Sequence, residues 1–344
     1  MQYRPLGQTG IQVSAYCLGT MMFGKIANPD HDEGIRIVHK ALDFGINFVD
    51  TADAYSQGES EVIVGKALKG RRDNVVLATK AALPMGDGPN MQGGSRRWIT
   101  RAVDDSLKRL QTDYIDLYQI HRLAPDTDIE ETLSVLTDLM RAGKIRTFGA
   151  STVPASDIVE AQWTAERRGL ARFRTEQPPY SILNRSIERE VLPTCQRYGM
   201  GVLAWSPLAK GMLTGKYRKG KEQPDSLRVK FFPKAMSDEA SLNAVEELIP
   251  LAESAGISLM HMALAFVVAH PALTSAIIGP RTMDQLDGLL AGAEVRLGDD
   301  VLDRIDEIVP PGTDVAPLER AAYQPPAISQ PSRRRRPVDE RAAA

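Results

Sequence analysis

Four side chains able to take part in proton transfer stand within the first 121 residues of this sequence: Asp50, Tyr55, Lys80 and His121. A phenol has an ordinary pKa near ~10, so Tyr55 stays protonated at neutral pH and can act as an acid. A nearby ammonium lowers that pKa and favours the phenolate left after donation. Lys80 can be that ammonium. It follows Leu77-Ala78-Thr79 and so sits close to the core, where a charged amine needs a carboxylate partner. Asp50 can supply the carboxylate, and an imidazole such as His121 can orient a carbonyl. Together the four suit proton donation to a carbonyl oxygen. No side chain here can supply a hydride, so a reduction needs a cofactor.

Each of the four also has a plainer reading. Asp50 could cap a helix, Tyr55 could be a half-buried aromatic, Lys80 could point to solvent and His121 could be a satisfied histidine. Their places relative to the secondary structure weigh one reading against the other. Residues 2–13 read as a hairpin, with 3–6 and 11–13 flanking a turn at Gly7-Gln8-Thr9-Gly10. Short apolar runs then alternate with helical spacing. Strands are expected over 15–18, 46–49, 75–79, 115–119, 145–150, 175–176, 201–204 and 274–278. Helices are expected over 32–44, 59–68, 99–110, 129–141, 155–168, 188–198, 240–255, 259–269, 282–290 and 299–308. Asp30 or Asp32 can cap the first of these, Pro154 suits a first turn and Gly143 suits a helix stop. Two stretches, 81–96 and 206–234, read as long loops, the second of them basic.

Short apolar strands separated by helices imply a parallel sheet covered by helices, and eight such units imply closure. An open doubly wound sheet would carry Gly-x-Gly-x-x-Gly after its first strand. Residues 18–24 read Leu-Gly-Thr-Met-Met-Phe-Gly instead. The expected fold is therefore α/β, a (β/α)8 TIM barrel over 1–315 behind an N-terminal β-hairpin. The Pro-, Ala- and Arg-rich tail, 316–344, is expected to be disordered, and the residues beyond about 325 mobile and unnecessary for catalysis.

Active sites of such barrels lie at the C-terminal ends of the strands. Asp50, Lys80, His121, Ser151, Gln177, Trp205 and Arg281 are expected just after strands two to eight, with Tyr55 in the loop after strand two. They can therefore converge on one mouth. Trp205 offers a flat face for a nicotinamide, Ser151 and Gln177 offer partners for its carboxamide, and Arg281 lies where barrels often bind phosphate. Free N–H groups at the start of the helix after Arg281 would add to that site.

The same residues carry a resemblance. The runs 45–55 (Gly-Ile-Asn-Phe-Val-Asp-Thr-Ala-Asp-Ala-Tyr), 78–80 (Ala-Thr-Lys), 114–121 (Tyr-Ile-Asp-Leu-Tyr-Gln-Ile-His), 143–151 (Gly-Lys-Ile-Arg-Thr-Phe-Gly-Ala-Ser), 205–208 (Trp-Ser-Pro-Leu) and 277–282 (Ile-Ile-Gly-Pro-Arg-Thr) occur in barrel order. By these motifs the chain resembles an aldo-keto reductase over 1 to about 310. The resemblance implies a catalytic tetrad of Asp50, Tyr55, Lys80 and His121, with Tyr55 as general acid. It implies NADPH bound without a Rossmann fold, its nicotinamide on Trp205. Contacts to that cofactor are implied for Gly19, Thr20, Asp50, Ser151, Thr152, Gln177, Trp205, Ser206, Pro207, Leu208, Lys216, Ile278, Gly279, Arg281 and Gln285. The implied activity is reduction of an aldehyde or ketone. The alternative is an NADPH-binding regulatory or sensor subunit of the kind that serves potassium channels, with slow turnover. Three positions depart from the family pattern: Thr152 stands where an Asn is usual, and Gly288 and Leu289 replace the Glu-Asn pair that holds the adenine.

Composition narrows the remaining classes. A net charge of −2 gives no general attraction to nucleic acid or to an anionic membrane. No apolar run approaches the ~20 residues of a membrane span. The first residues carry no apolar signal region, and the two cysteines, Cys17 and Cys195, are far apart, which together point to the cytoplasm. The five histidines form no close ligand pair, so no metal is expected. A Schiff-base role for Lys80 would leave Tyr55 and Trp205 unexplained. The run Arg333 to Arg336 reads as a solvated end. A small carbonyl compound is the expected partner. The loops that would select it, 22–31, 81–96 and 206–234, are mixed in polarity, and no feature sets an oligomeric state.

Overall fold

The computed structural model describes residues 1–231, 233–315 and 330–341. Strands β1 (Tyr3–Pro5) and β2 (Gln12–Ser14) pair antiparallel, with Pro5 opposite Gln12 across the turn. The following strands are β3 (Tyr16–Gly19), β4 (Phe48–Asp50), β5 (Val76–Ala81), β6 (Ile115–Ile120), β7 (Ile145–Ser151), β8 (Thr175–Gln177), β9 (Gly201–Ala204) and β10 (Leu273–Ile278). They close into one barrel in sequence order, with β10 against both β9 and β3, and every neighbouring pair is parallel.

Side chains alternate across each strand, and this period of two sorts the core into two parts. Cys17, Phe48, Ala78, Leu117, Leu203 and Ile277 point inward and fill the barrel, with Leu6 and Val13 of the hairpin packed beneath them. Leu18, Val49, Leu77, Tyr118, Val202 and Ile278 point outward to a second cluster under the helices. The helices are α1 (His31–Asp43), α2 (Glu59–Ala67), α3 (Arg96–Leu110), α4 (Ile129–Arg141), α5 (Ala155–Arg168), α6 (Val191–Tyr198), α7 (Leu227–Phe231), α8 (Pro233–Met236), α9 (Glu239–Ser254), α10 (Leu259–Ala269), α11 (Met283–Leu290) and α12 (Asp299–Ile308). No single helix among the described residues is long and apolar enough to cross a membrane.

Most expected boundaries agree within a residue or two, and the exceptions have local causes. Asp30, not Asp32, caps α1, its side chain accepting from Glu33 N. α3 starts three residues ahead of its first large aliphatic residue because Ser95 caps it, accepting from Trp98 N. α6 starts at Val191 rather than 188. Ahead of it Ser186–Glu188 closes as a 3-10 turn, and the Glu188 carboxylate is taken by Tyr180 Oη at 2.7 Å, Arg185 Nε at 2.8 Å and Gly312 N at 2.8 Å. The 206–234 stretch is not a plain loop. It holds the 3-10 segment Ala209–Thr214 and the short helices α7 and α8. Lys80, Asp50, Ser151 and Gln177 are the last or near-last residues of their strands rather than residues just beyond them.

The disorder expected for 316–344 falls mostly outside the described residues. Residues 330–341 carry two 3-10 turns, Pro331–Arg333 and Val338–Glu340, with exposed side chains wherever these are described.

Candidate active site

The same parity that fills the barrel builds the site above it. Two residues on from inward Phe48, Ala78, Leu117 and Leu203 come Asp50, Lys80, Gln119 and Trp205. These four therefore lie on the barrel's inner face at its C-terminal mouth. Asp50 is the hub. Its Oδ1 accepts from Lys80 Nζ at 2.5 Å, and its Oδ2 accepts from Gln119 Nε2 at 3.1 Å and Gln177 Nε2 at 3.0 Å. Lys80 is fully buried and spends its other two donors on Thr51 O at 2.8 Å and Tyr55 Oη at 3.1 Å. Burial works against its charge, but Asp50 and the phenol outweigh that and hold its pKa above the ordinary lysine value. It is an ammonium at neutral pH.

Tyr55 opens a 3-10 turn, Tyr55–Gly58, in which Ser56 and Gln57 take left-handed φ values of 49° and 57°. Two successive non-glycine residues there are a strained arrangement. Ser56 Oγ helps hold the turn by donating to Phe23 O at 2.9 Å. The Tyr55 ring lies edge-to-face with His121, centroids 5.7 Å apart at 84°. Here the sequence expectation is corrected in sign: burial raises the phenol above its ordinary pKa, outweighing the downward pull of Lys80. The phenol is thus all the more firmly protonated at neutral pH. His121 moves the other way. Burial first, then Lys80 and Arg122, push its pKa well below 6.5. The imidazole is neutral, 7% exposed, and its Nδ1 has no hydrogen-bond partner.

These groups open on a cavity of about 930 Å³. That is near the upper end of small-molecule pockets, roughly 300–1,000 Å³, and far more than a small carbonyl compound fills. Gly19, Thr20, Asp50, Tyr55, His121, Ser151, Gln177, Trp205, Ser206, Pro207, Leu208, Lys216, Ile278, Gly279, Arg281 and Gln285 all line it. Lys80 sits behind Asp50 and Tyr55. Thr152 is the expected contact that does not reach the wall. With φ at 59°, it turns its Oγ1 to accept from Trp205 Nε1 at 3.2 Å, which ties down the edge of the indole.

The wall fits a nicotinamide dinucleotide. A carboxylate can only accept, so Gln177 must turn Nε2 to Asp50, which leaves its Oε1 for a carboxamide. Lys210, Lys216, Arg228, Lys230 and Arg281 give one side of the cavity a positive balance against Asp225 and Asp284. The Arg281 guanidinium makes no hydrogen bond or ion pair among the described residues, although the Arg281 carbonyl accepts from Asn28 Nδ2 at 2.7 Å. The expectation of free N–H groups at the start of α11 holds only in part, because side chains take three of the N–H groups around it. Arg281 N donates to Gln285 Oε1 at 2.8 Å, Met283 N to Glu33 Oε1 at 3.2 Å and Gln285 N to Thr282 Oγ1 at 3.4 Å. The arginine side chain is the charged group left to hold an anion there. Beyond it Met260, Gly288 and Leu289 make an apolar end.

Sequence reasoning missed Gln119 and Arg122. Gln119 was findable, because it follows inward Leu117 by two. Two buried carboxyls also went unnoticed. Glu176 is fully buried with Oε1 accepting from Val153 N at 2.9 Å and Oε2 unpartnered, and both oxygens of Asp53 are unpartnered. Burial raises each to a pKa of about 8. Each therefore binds its proton more tightly folded than unfolded. Their contribution to stability is complete below the ordinary carboxyl value of roughly 4 and is lost as pH rises through about 8. Glu176→Gln, which keeps the group neutral, should raise Tm relative to the unsubstituted protein at pH 9 and change it little at pH 5. A Tm difference equal at both pH values would show that Glu176 does not titrate in this way.

Comparison with known proteins places this geometry. Residues 15–310 match the model of the aldo/keto reductase family. The "Uncharacterized oxidoreductase YrpG" of Bacillus subtilis (strain 168) is 41% identical over 321 residues, 90% of this chain and 96% of the relative. The "Versiconal hemiacetal acetate reductase" of Aspergillus parasiticus is 35% identical, covering 89% of this chain and 96% of its own length. A "Probable voltage-gated potassium channel subunit beta" of Oryza sativa subsp. japonica is also 35% identical, over 90% of this chain and 97% of its own.

Proposed function

Because this chain belongs to the aldo/keto reductase family, we propose that it reduces an aldehyde or ketone to the alcohol, with NADPH as hydride source and Tyr55 as acid. The observation that carries this reading is the hydrogen-bonded run Asp50–Lys80–Tyr55, which ends on the cavity beside a neutral imidazole. When bound, NADPH supplies the hydride that forms the new C–H bond. The chain's own residues handle the oxygen. Tyr55 gives its proton to the carbonyl oxygen, and the Lys80 ammonium offsets the phenolate that remains. Asp50 keeps that ammonium charged. His121, neutral, can donate a ring N–H to the same oxygen and so fix its direction. When the cofactor binds, Trp205 would offer a face to the nicotinamide, Ser151 and Gln177 would receive the carboxamide, and Lys216 and Arg281 would face the phosphates.

A second reading rests on the likeness to the protein named as a potassium channel subunit. In that case NADPH would be bound and turned over slowly, as a sensor. Oxidation of NADPH in large excess over protein separates the two, with a panel of aldehydes, ketosteroids, quinones and keto sugars. A reductase consumes many equivalents with at least one carbonyl. Oxidation that stops near one equivalent per chain with every compound favours the sensor.

Arg281 bears on cofactor choice. Its guanidinium faces the cavity without a partner among the described residues and can hold a phosphate through two hydrogen bonds. The 2′-phosphate that NADPH has and NADH lacks is the group to use it. A charge-assisted hydrogen bond contributes roughly 1.5–3 kcal/mol, so Arg281→Ala should weaken NADPH by ~10–100-fold and leave NADH nearly untouched. Cofactor titration against intrinsic tryptophan fluorescence measures this. Equal losses for both cofactors would mean that Arg281 supports the loop instead.

A further inference from the structure

Arg122 follows His121 directly and lines the same cavity, yet the chemistry above gives it no task. Its bonds are incomplete. Nη1 donates to His121 O at 2.5 Å and to Ser151 Oγ at 3.2 Å, while Nε and Nη2 have no partner. Among the described residues it makes no ion pair. Three other enclosed arginines do: Arg72 meets Asp116 at 2.7 Å, Arg109 meets Glu61 at 2.6 Å, and Arg185 meets Glu188 at 2.8 Å and Asp306 at 2.7 Å. The nearby acid, Glu176, makes no ion pair with Arg122 and turns its Oε1 to Val153 N at 2.9 Å instead. A half-buried guanidinium without a counter-charge is costly, and it keeps three N–H donors, on Nε and Nη2, in a planar fork.

Barrel order says what that fork does not serve. Arg122 follows β6 and Arg281 follows β10, four strands apart in a ring of eight, so they stand on opposite walls. Lys210 and Lys216 follow β9, beside β10. The cations able to face cofactor phosphates are therefore across the cavity, and Arg122 shares its wall with His121 and Tyr55, where the carbonyl is to be held. We propose that Arg122 binds a carboxylate carried by the substrate, so that the carbonyl compounds this protein acts on are aldehydes or ketones bearing an acid group. This assignment rests on the reductase reading for the carbonyl and on Arg122's open fork for the acid. One fork and one charge match a carboxylate bidentately.

The test compares 4-carboxybenzaldehyde with methyl 4-formylbenzoate, and 4-oxobutanoate with its methyl ester, in the full-length protein and in Arg122→Gln and Arg122→Lys. In the unsubstituted protein kcat/KM should favour the acid of at least one pair by ~10–100-fold. Arg122→Gln should bring that ratio close to one, mainly through KM. Arg122→Lys should restore part of it, since it keeps the charge and loses the fork. Calorimetric titration of the acids reads the same site without turnover. Acid binding that depends on Arg122 with no reduction of any compound upholds the carboxylate site and overturns the reductase reading. The proposal itself falls if neither pair favours the acid, or if Arg122→Gln lowers acid and ester alike, which would make Arg122 a support for His121 and Ser151.

Discussion

Tyr55→Phe should lower kcat for carbonyl reduction by ~10²–10⁴, the usual worth of a positioned general acid, while NADPH binds as before. The substitution removes one oxygen and leaves the ring in its edge-to-face contact with His121. Lys80 keeps Asp50 and Thr51 O as partners, so the fold loses one hydrogen bond of three at that ammonium. The effect should therefore appear in kcat and hardly in stability. The raised phenol pKa adds a pH signature. Reduction needs the protonated phenol, so activity should hold across neutral pH and fall only above ~10, the ordinary phenol value. The histidine should contribute no limb near its ordinary value, because its pKa lies well below 6.5. A Phe variant with unchanged turnover would mean that the proton comes from elsewhere.

Asp50→Ala should be the most damaging change to stability at the mouth. It strands a fully buried ammonium and takes the acceptor from two buried amides, Gln119 and Gln177. Breaking a buried ion pair by removing one partner costs about 3–5 kcal/mol. Most of that cost is the unpaired charge, so adding Lys80→Met to Asp50→Ala should recover part of it, and the two changes should be far from additive. Urea unfolding midpoints at fixed m would show both effects. A loss below ~1 kcal/mol for Asp50→Ala, the range of an exposed pair, would mean that water reaches the lysine and that the site is looser than its geometry.

How much of this was legible in the sequence depended on how local each cause is. Seven of the eight strands were readable because apolar runs of four to six residues between helical spacings leave few other folds, whereas 175–176 is a short polar pair placed by its neighbours. Asp50, Lys80 and Trp205 were readable because they sit at strand ends, and Gln119 obeys the same parity. Arg122 lies two residues past β6, where no period says which way a side chain turns. The occupied start of α11 was hidden for a different reason, since the acceptor for Met283 N is Glu33, 250 residues away. The direction of the Tyr55 shift depends on how many distant groups enclose the ring, so the neighbouring ammonium alone misjudged it. Thr152 turned away from the cavity because a left-handed backbone at a non-glycine residue has no mark in the sequence.

In the proposed reaction a hydride passes from cofactor to carbonyl while Tyr55 supplies the proton. Reduction of an aldehyde with NADPH carrying deuterium at both positions of nicotinamide C4, followed by mass spectrometry of the alcohol, is the direct test. Deuterium is expected on the carbinol carbon at one per alcohol formed, over many turnovers, with the rate collapsing in Tyr55→Phe. Alcohol that carries no deuterium, or no alcohol from any carbonyl while NADPH remains bound, would contradict it.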